Sequence, residues 1–305
     1  MKHLFLSSCA ILFFLIAMIG CGNKNTTDSA SQSKSASELP SSQTSKENKS
    51  DSESSDLEPA EQTTSPTLFI HGYSGTDYTF NGMLSRFETE EYGKQQLTIT
   101  VQPDGSISEV GDWQEEADNP FIQVLFSDNK NNEWNQADWI RAVLVYLKTT
   151  YQIDEVNLVG HSMGGVSSFR YLIAYGNETT QPVVNKLVAI GAPFNDFVEG
   201  NESQTLTELK QDGPLVLSGR YSEFSAAIQQ YPVSTKMLNV VGDLNDGSKS
   251  DGTVSLSSGL SIGYLMQSAK RDYSEKIIVD EQASHSQLHE NDEVDALVSE
   301  FLWGN

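Results

Sequence analysis

The sequence predicts an α/β domain: a mostly parallel sheet flanked by helices, with a cap-like insertion in its second half. Three observations predict it. Short apolar runs alternate along the chain with stretches whose apolar residues recur at helical spacing, the pattern of a sheet covered on both faces. Setting aside the first 66 of the 305 residues, an apolar N-terminal run and a polar stretch, leaves about 239, a length that suits one domain and strains a two-domain split. No internal repeat interrupts the alternation.

Residues 1 to 21 read as a secretory signal peptide. Lys2 supplies a positive end, and an uncharged apolar run extends from Leu4 to Ile19, too short for the roughly 20 apolar residues of a membrane span. It closes on Met18-Ile19-Gly20-Cys21. Two apolar residues, a small one and Cys resemble the lipobox of bacterial lipoproteins, which implies that Cys21 is acylated and anchors the chain to the cell membrane. The alternative is an ordinary signal peptide or a short membrane anchor with an incidental Cys. From Gly22 to Pro66 the chain is rich in Ser, Thr, Asn, Gln and charge, with Leu39 and Leu57 its only large apolar residues. Such a stretch buries too little surface to offset its ordering entropy, so residues 22–66 are expected to form a disordered stalk ahead of the domain at 67–305.

Charge narrows the function classes. The chain carries a net −23, and eight of its 42 acidic and five of its 19 basic residues lie in the first 66, so the folded part keeps −20. Phosphate-backbone binding needs clustered Lys and Arg, so no nucleic-acid partner is expected, nor docking by charge on anionic lipid. Both cysteines, Cys9 and Cys21, lie in the N-terminal address. The domain therefore has no disulfide scaffold, zinc ribbon or cysteine nucleophile.

Within the domain, Thr67 to Ile70 is a short apolar run between Pro66 and Gly72, consistent with a buried strand. Leu97 to Val101 alternates and ends at the turn Pro103-Asp104-Gly105. Phe121 to Phe126 is a third strand candidate. Asp138 to Tyr151 places Trp139, Val143, Leu144 and Leu147 at helical intervals. Val156 to Val159 is again a strand, Val166 to Tyr175 a helix, Lys186 to Ile190, Lys236 to Val241 and Lys276 to Asp280 later strands, and Asp292 to Trp303 a closing helix. Phe194 to Pro232 breaks the rhythm with Gly200, Gly213, Pro214 and Gly219 and one amphipathic helix at Ser222 to Tyr231. It is either a surface excursion or a cap over the site.

The sharpest chemical signal is Gly160-His161-Ser162-Met163-Gly164-Gly165, a G-x-S-x-G motif leaving a strand and opening a helix. The chain must reverse within a few residues, and glycines at 160 and 164 remove side chains that would collide there. Ser162 then stands at a helix N-terminus, where free N–H groups favour developing negative charge. A serine hydroxyl needs a base, and the base needs an orienting acid. His285 and His289 both follow the serine in the expected order. His285 is favoured because it sits in the loop after the Lys276 to Asp280 strand, with His289 placed at the start of the closing helix. For the acid, Asp243, Asp246 and Asp251 all follow the Lys236 to Val241 strand. Asp251, in the turn Ser250-Asp251-Gly252-Thr253-Val254, is favoured. The oxyanion donors are the N–H of Met163 and, from the glycine-loosened loop His71-Gly72-Tyr73-Ser74-Gly75, that of Tyr73. The Tyr73 ring is alternatively a wall of the acyl pocket.

With these residues in place the chain resembles the α/β-hydrolases, and more narrowly the DUF915 family of Gram-positive cell-surface hydrolases. The resemblance rests on Phe69-Ile70-His71-Gly72, Trp139 to Tyr151, Val156 to Gly165, Ser250 to Val254 and His285 to Asn291, spanning 67–303. It implies Ser162, Asp251 and His285 as a catalytic triad and hydrolysis of carboxylic esters, with small acyl esters as substrates. It fixes no natural substrate, and the long polar insert Gln102 to Asn119 leaves the pocket mouth undefined. The expected protein is thus a lipid-anchored, extracytoplasmic serine esterase acting on a small-molecule ester, with no metal and no cofactor. Two alternatives share the sequence: an acyltransferase with a cell-surface hydroxyl in place of water, and a hydrolase fold retained as a non-catalytic binding module.

Overall fold

The computed structural model describes residues 62–304. The lipobox, Cys21 and nearly all of the expected stalk lie outside the described residues. The last residues of that stretch, Thr63 to Pro66, are tied to the domain: the Asn119 N–H donates to the Thr63 carbonyl at 2.7 Å and the Asn157 N–H to that of Pro66 at 2.9 Å.

In chain order the described residues form β1 (Thr67–Ile70), α1 (Tyr78–Thr89), β2 (Lys94–Val101), β3 (Ile107–Gly111), β4 (Pro120–Phe126), α2 (Glu133–Tyr151), β5 (Glu155–His161) and α3 (Met163–Tyr175). There follow β6 (Val183–Ile190), α4 (Leu206–Asp212), α5 (Gly219–Ala227), β7 (Lys236–Asp243), α6 (Leu256–Gly259), α7 (Ile262–Ser268), β8 (Tyr273–Val279) and α8 (Asp292–Trp303). The strands make one sheet in the order β3-β2-β4-β1-β5-β6-β7-β8. Every neighbouring pair is parallel except β2 with β3. This is the mostly parallel, helix-flanked sheet of the α/β-hydrolase fold.

Period-two alternation divides the core. In β1, Leu68 and Ile70 face the layer of α2, α3, α5 and α7, whereas Phe69 faces α1 and α8. Phe69 meets Phe80 of α1 and Phe121 of β4 edge-on, at centroid distances of 5.4 and 5.5 Å. All four residues of β1 are buried, because the strand lies mid-sheet between β4 and β5.

The elements foreseen from periodicity are present, with shifted ends. Helix α2 begins at Glu133 rather than Asp138: the Asn132 side chain caps it by accepting from the Trp134 and Asn135 N–H groups, and Glu133 is buried against Arg170 and Arg220. Helix α3 begins at Met163, directly after the motif serine, through two glycines that carry no periodic signal. The polar insert Gln102 to Asn119 supplies β3 at the sheet edge, separated from β5 by β2, β4 and β1. The excursion 194–232 is packed rather than loose. Phe194, Phe224 and Tyr231 gather around Phe169 of α3, while Leu209 of α4 joins Val241, Leu256 and Leu260. Its exposed apolar residues are Phe197 and Leu215 to Leu217.

Candidate active site

Ser162 stands between β5 and α3 at φ 53°, ψ −123°, a left-handed backbone that an L-residue adopts only under constraint. The constraint is visible on both sides. A Cβ on Gly160 would lie 2.5 Å from the Gly164 carbonyl carbon, and one on Gly164 would lie 2.2 Å from the Ile70 carbonyl oxygen. Both glycines are thus demanded by close approach of backbone, as the motif requires. The Ser162 N–H donates to the Ile190 carbonyl of β6 at 2.8 Å, which fastens the turn to the neighbouring strand.

His285 lies in the loop between β8 and α8, beside a half-buried Ser162. The Ser162 hydroxyl donates to His285 Nε2 at 2.9 Å, and His285 Nδ1 lies 2.7 Å from Asp251 Oδ2. A carboxylate facing Nδ1 can only accept, so the proton sits on Nδ1 and Nε2 is left free to take one from the serine. Asp251 is 2% exposed, and burial of a charge requires partners. Its Oδ1 accepts from the Thr253 and Val254 N–H groups at 2.8 and 2.6 Å, so the carboxylate is fully engaged. A Cβ on Gly242, at the end of β7, would lie 2.9 Å from Asp251 Cβ, so glycine there lets the acid loop settle.

The rivals lie elsewhere. Asp243 and Asp246 each accept from a main-chain N–H two residues on, as turn carboxylates. His289 sits in the short 3₁₀ turn Leu288–Glu290, with Nδ1 3.1 Å from Glu290 Oε1, and makes no bond to Ser162. Burial pushes its imidazole below the ordinary range, with the Glu290 carboxylate opposing.

The oxyanion side is built from the loop after β1. A Cβ on Gly72 would lie 2.8 Å from Ser162 Cβ, 2.9 Å from the His161 carbonyl oxygen and 3.3 Å from the Met163 nitrogen, so this loop lies directly on the serine turn. No hydrogen bond within the described residues engages the N–H of Tyr73 or of Met163. The Tyr73 side chain is 57% exposed, at the surface.

This loop is held by His71 and Asn129, two side chains to which the sequence motifs assign no role. His71 is buried, its Nε2 accepts the Phe126 N–H at 3.0 Å, and its Nδ1–H donates to the Gly72 carbonyl at 2.8 Å. Burial lowers its pKa and keeps it neutral. Asn129 clasps the loop's far end: its carbonyl accepts the Ser74 N–H at 2.7 Å and its amide donates to the Gly75 carbonyl at 2.8 Å. His71 was visible as a polar residue closing a buried strand, whereas nothing in the sequence singles out Asn129. Among the described residues no group of three or more His, Cys, Asp or Glu is arranged to hold a metal ion.

A nucleophile, a base and a buried acid in hydrogen-bonded series, with the unbonded N–H of Met163 next to the serine, can carry acyl transfer. The family model for α/β hydrolases of unknown function, DUF915, matches residues 54–305. The chain belongs to this family. Two solved structures are similar to this chain in fold. The product of the gene lin2722 from Listeria innocua is 28% identical, with a TM-score of 0.73 over 78% of this chain and 93% of that one. A candidate cell surface hydrolase from Lactobacillus plantarum WCFS1 is 24% identical, with a TM-score of 0.65 over 78% of this chain and 91% of that one. No functionally curated protein matches this DUF915 member.

Proposed function

We propose that this DUF915 hydrolase is a serine esterase that cleaves carboxylic esters, small acyl esters among them, outside the cytoplasm while anchored through an acylated Cys21. The observation that carries the reading is the His285 imidazole, held between the Ser162 hydroxyl and the Asp251 carboxylate at 2.9 and 2.7 Å. Ser162 Oγ attacks the ester carbonyl carbon as His285 Nε2 takes its proton. The carbonyl oxygen becomes an oxyanion, which the N–H groups of Met163 and Tyr73 stabilise. Collapse expels the alcohol, protonated by His285, and leaves an acyl group on Ser162. Water, deprotonated by the same imidazole, attacks that acyl group and releases the acid. Asp251 keeps the proton on Nδ1 and stabilises the imidazolium formed at each step.

Fluorophosphonate labelling of the purified domain tests the reading. Wild type is expected to be labelled at Ser162 and to hydrolyse p-nitrophenyl acetate, whereas Ser162→Ala is neither labelled nor active while its melting temperature is kept. Undiminished hydrolysis by Ser162→Ala, or a wild type inert toward both reagents, overturns it.

A further inference from the structure

His161 immediately precedes the nucleophile and takes no part in the chemistry above, yet its side chain is buried against the base. Its Nε2 lies 2.9 Å from the main-chain carbonyl oxygen of His285. Its ring also packs on both neighbouring imidazoles, 4.7 Å from that of His285 and 4.8 Å, edge-on, from that of His289. The His285 main chain is thereby held at both of its polar groups, since its N–H donates to the Asp251 carbonyl at 2.8 Å.

We infer that His161 is a positioning residue: its Nε2–H tethers the His285 carbonyl and so sets the distance between the base and the Ser162 hydroxyl. The physical argument is one of reach. His285 is carried by a loop, and loops are held less firmly than strands, whereas His161 is the last residue of β5, anchored by pairing to Ile190 of β6. The tether therefore references the base to the same rigid strand that presents the nucleophile. A carbonyl oxygen can only accept, so the tether requires the proton on His161 Nε2. Burial holds the imidazole well below the ordinary histidine range, with the nearby His285 and His289 lowering it further. His161 is consequently neutral and carries one N–H, committed to this bond.

This inference rests on the esterase reading, and the test separates the two. In His161→Gln the amide nitrogen occupies the place of Nε2 and can still donate, whereas His161→Leu fills the space without a donor. With p-nitrophenyl acetate, His161→Leu is expected to lose about 10- to 100-fold in kcat with KM little changed, the cost of a misplaced catalytic group. His161→Gln is expected to recover most of that loss. A role in packing alone would lower the melting temperature of both variants without the donor deciding kcat. Wild-type kcat in a folded His161→Leu, or equal loss in the two variants, overturns the tether, and the inactive Ser162→Ala control shows that the esterase reading is not what failed. A ¹⁵N-resolved imidazole spectrum of the wild type needs no variant to fold. It is expected to show His161 protonated on Nε2 alone at neutral pH, and protonation on Nδ1 overturns the inference.

Discussion

Asp251 holds His285 twice, once by side chain and once by main chain: Oδ2 faces Nδ1 at 2.7 Å, and the Asp251 carbonyl accepts the His285 N–H at 2.8 Å. The acid thus fixes both the tautomer of the imidazole and the path of the loop that carries it. Only the first hold depends on the carboxylate.

Asp251→Asn separates these functions. The main-chain bond survives, but the side chain no longer demands a proton on Nδ1. A loss of about 10⁴-fold in kcat, as expected when a triad acid no longer fixes the tautomer, should accompany a folded protein. Steady-state kinetics beside circular dichroism checks this, and a loss below tenfold would remove Asp251 from the site.

The two late histidines are told apart by kcat. His285→Ala should be about as inactive as Ser162→Ala, and the double variant little worse than either, because groups that act as a unit fail together. His289→Ala should keep most of its kcat, since it touches Glu290 and the rings of Phe80 and His161 rather than the serine. An inactive His289→Ala beside a working His285→Ala would reverse the assignment.

Gly72→Ala probes the oxyanion side. A methyl group 2.8 Å from Ser162 Cβ must push the loop off the serine turn and carry the Tyr73 N–H with it. Losing one oxyanion donor costs about 10²- to 10³-fold in kcat, and that is the expected range here, with substrate binding largely kept. Wild-type turnover would show that the Tyr73 N–H is not a donor.

Anchoring is tested at Cys21. Cys21→Ser should move the protein from the membrane fraction to the medium or leave it unprocessed, because acyl chains supply the attachment. Mass spectrometry of the wild-type N-terminus checks it, and a lipid-free mature chain refutes the lipobox reading.

How far the sequence could be read depended on where each signal lives. Strand–helix alternation and the glycine pattern around Ser162 are local, because they reflect burial and backbone space within a few residues. Helix α1 shows what lies between: Phe80, Met83, Leu84 and Phe87 have helical spacing and Asp77 stands at its N-cap, but the Asp77 side chain makes no cap bond, so the start is weakly fixed. Glu133 at the head of α2 is held by Arg170 and Arg220, from 37 and 87 residues away, and periodicity cannot report such pairs. The same division runs through the site. Ser162, His285 and Asp251 lie in segments with recognisable local grammar, whereas the tether from His161 and the clasp by Asn129 are long-range bonds with no local signature.

Two buried histidines and a third that is partly buried make stability depend on pH. His71, His161 and His289 all have pKa values lowered first by burial, His161 most strongly. Each takes up a proton more readily in the unfolded chain, where the ordinary value is 6.5. Their contribution to stability is therefore complete above that pH and is lost as pH falls through it toward the lower folded values. Each group still neutral in the fold but protonated when unfolded adds up to about 1.4 kcal/mol of loss per pH unit. Asp295, raised by burial against the opposing pull of Arg86, acts with the opposite sign and in the separate carboxylate window. Urea unfolding at about pH 7.5 and about pH 5.5, one unit either side of the ordinary histidine value, should show a clear drop in midpoint with little change in slope. His161→Gln removes one of the three groups and should flatten that dependence. An unchanged wild-type midpoint across the interval would mean that these imidazoles titrate alike in the folded and unfolded chain, and that burial does not hold them neutral.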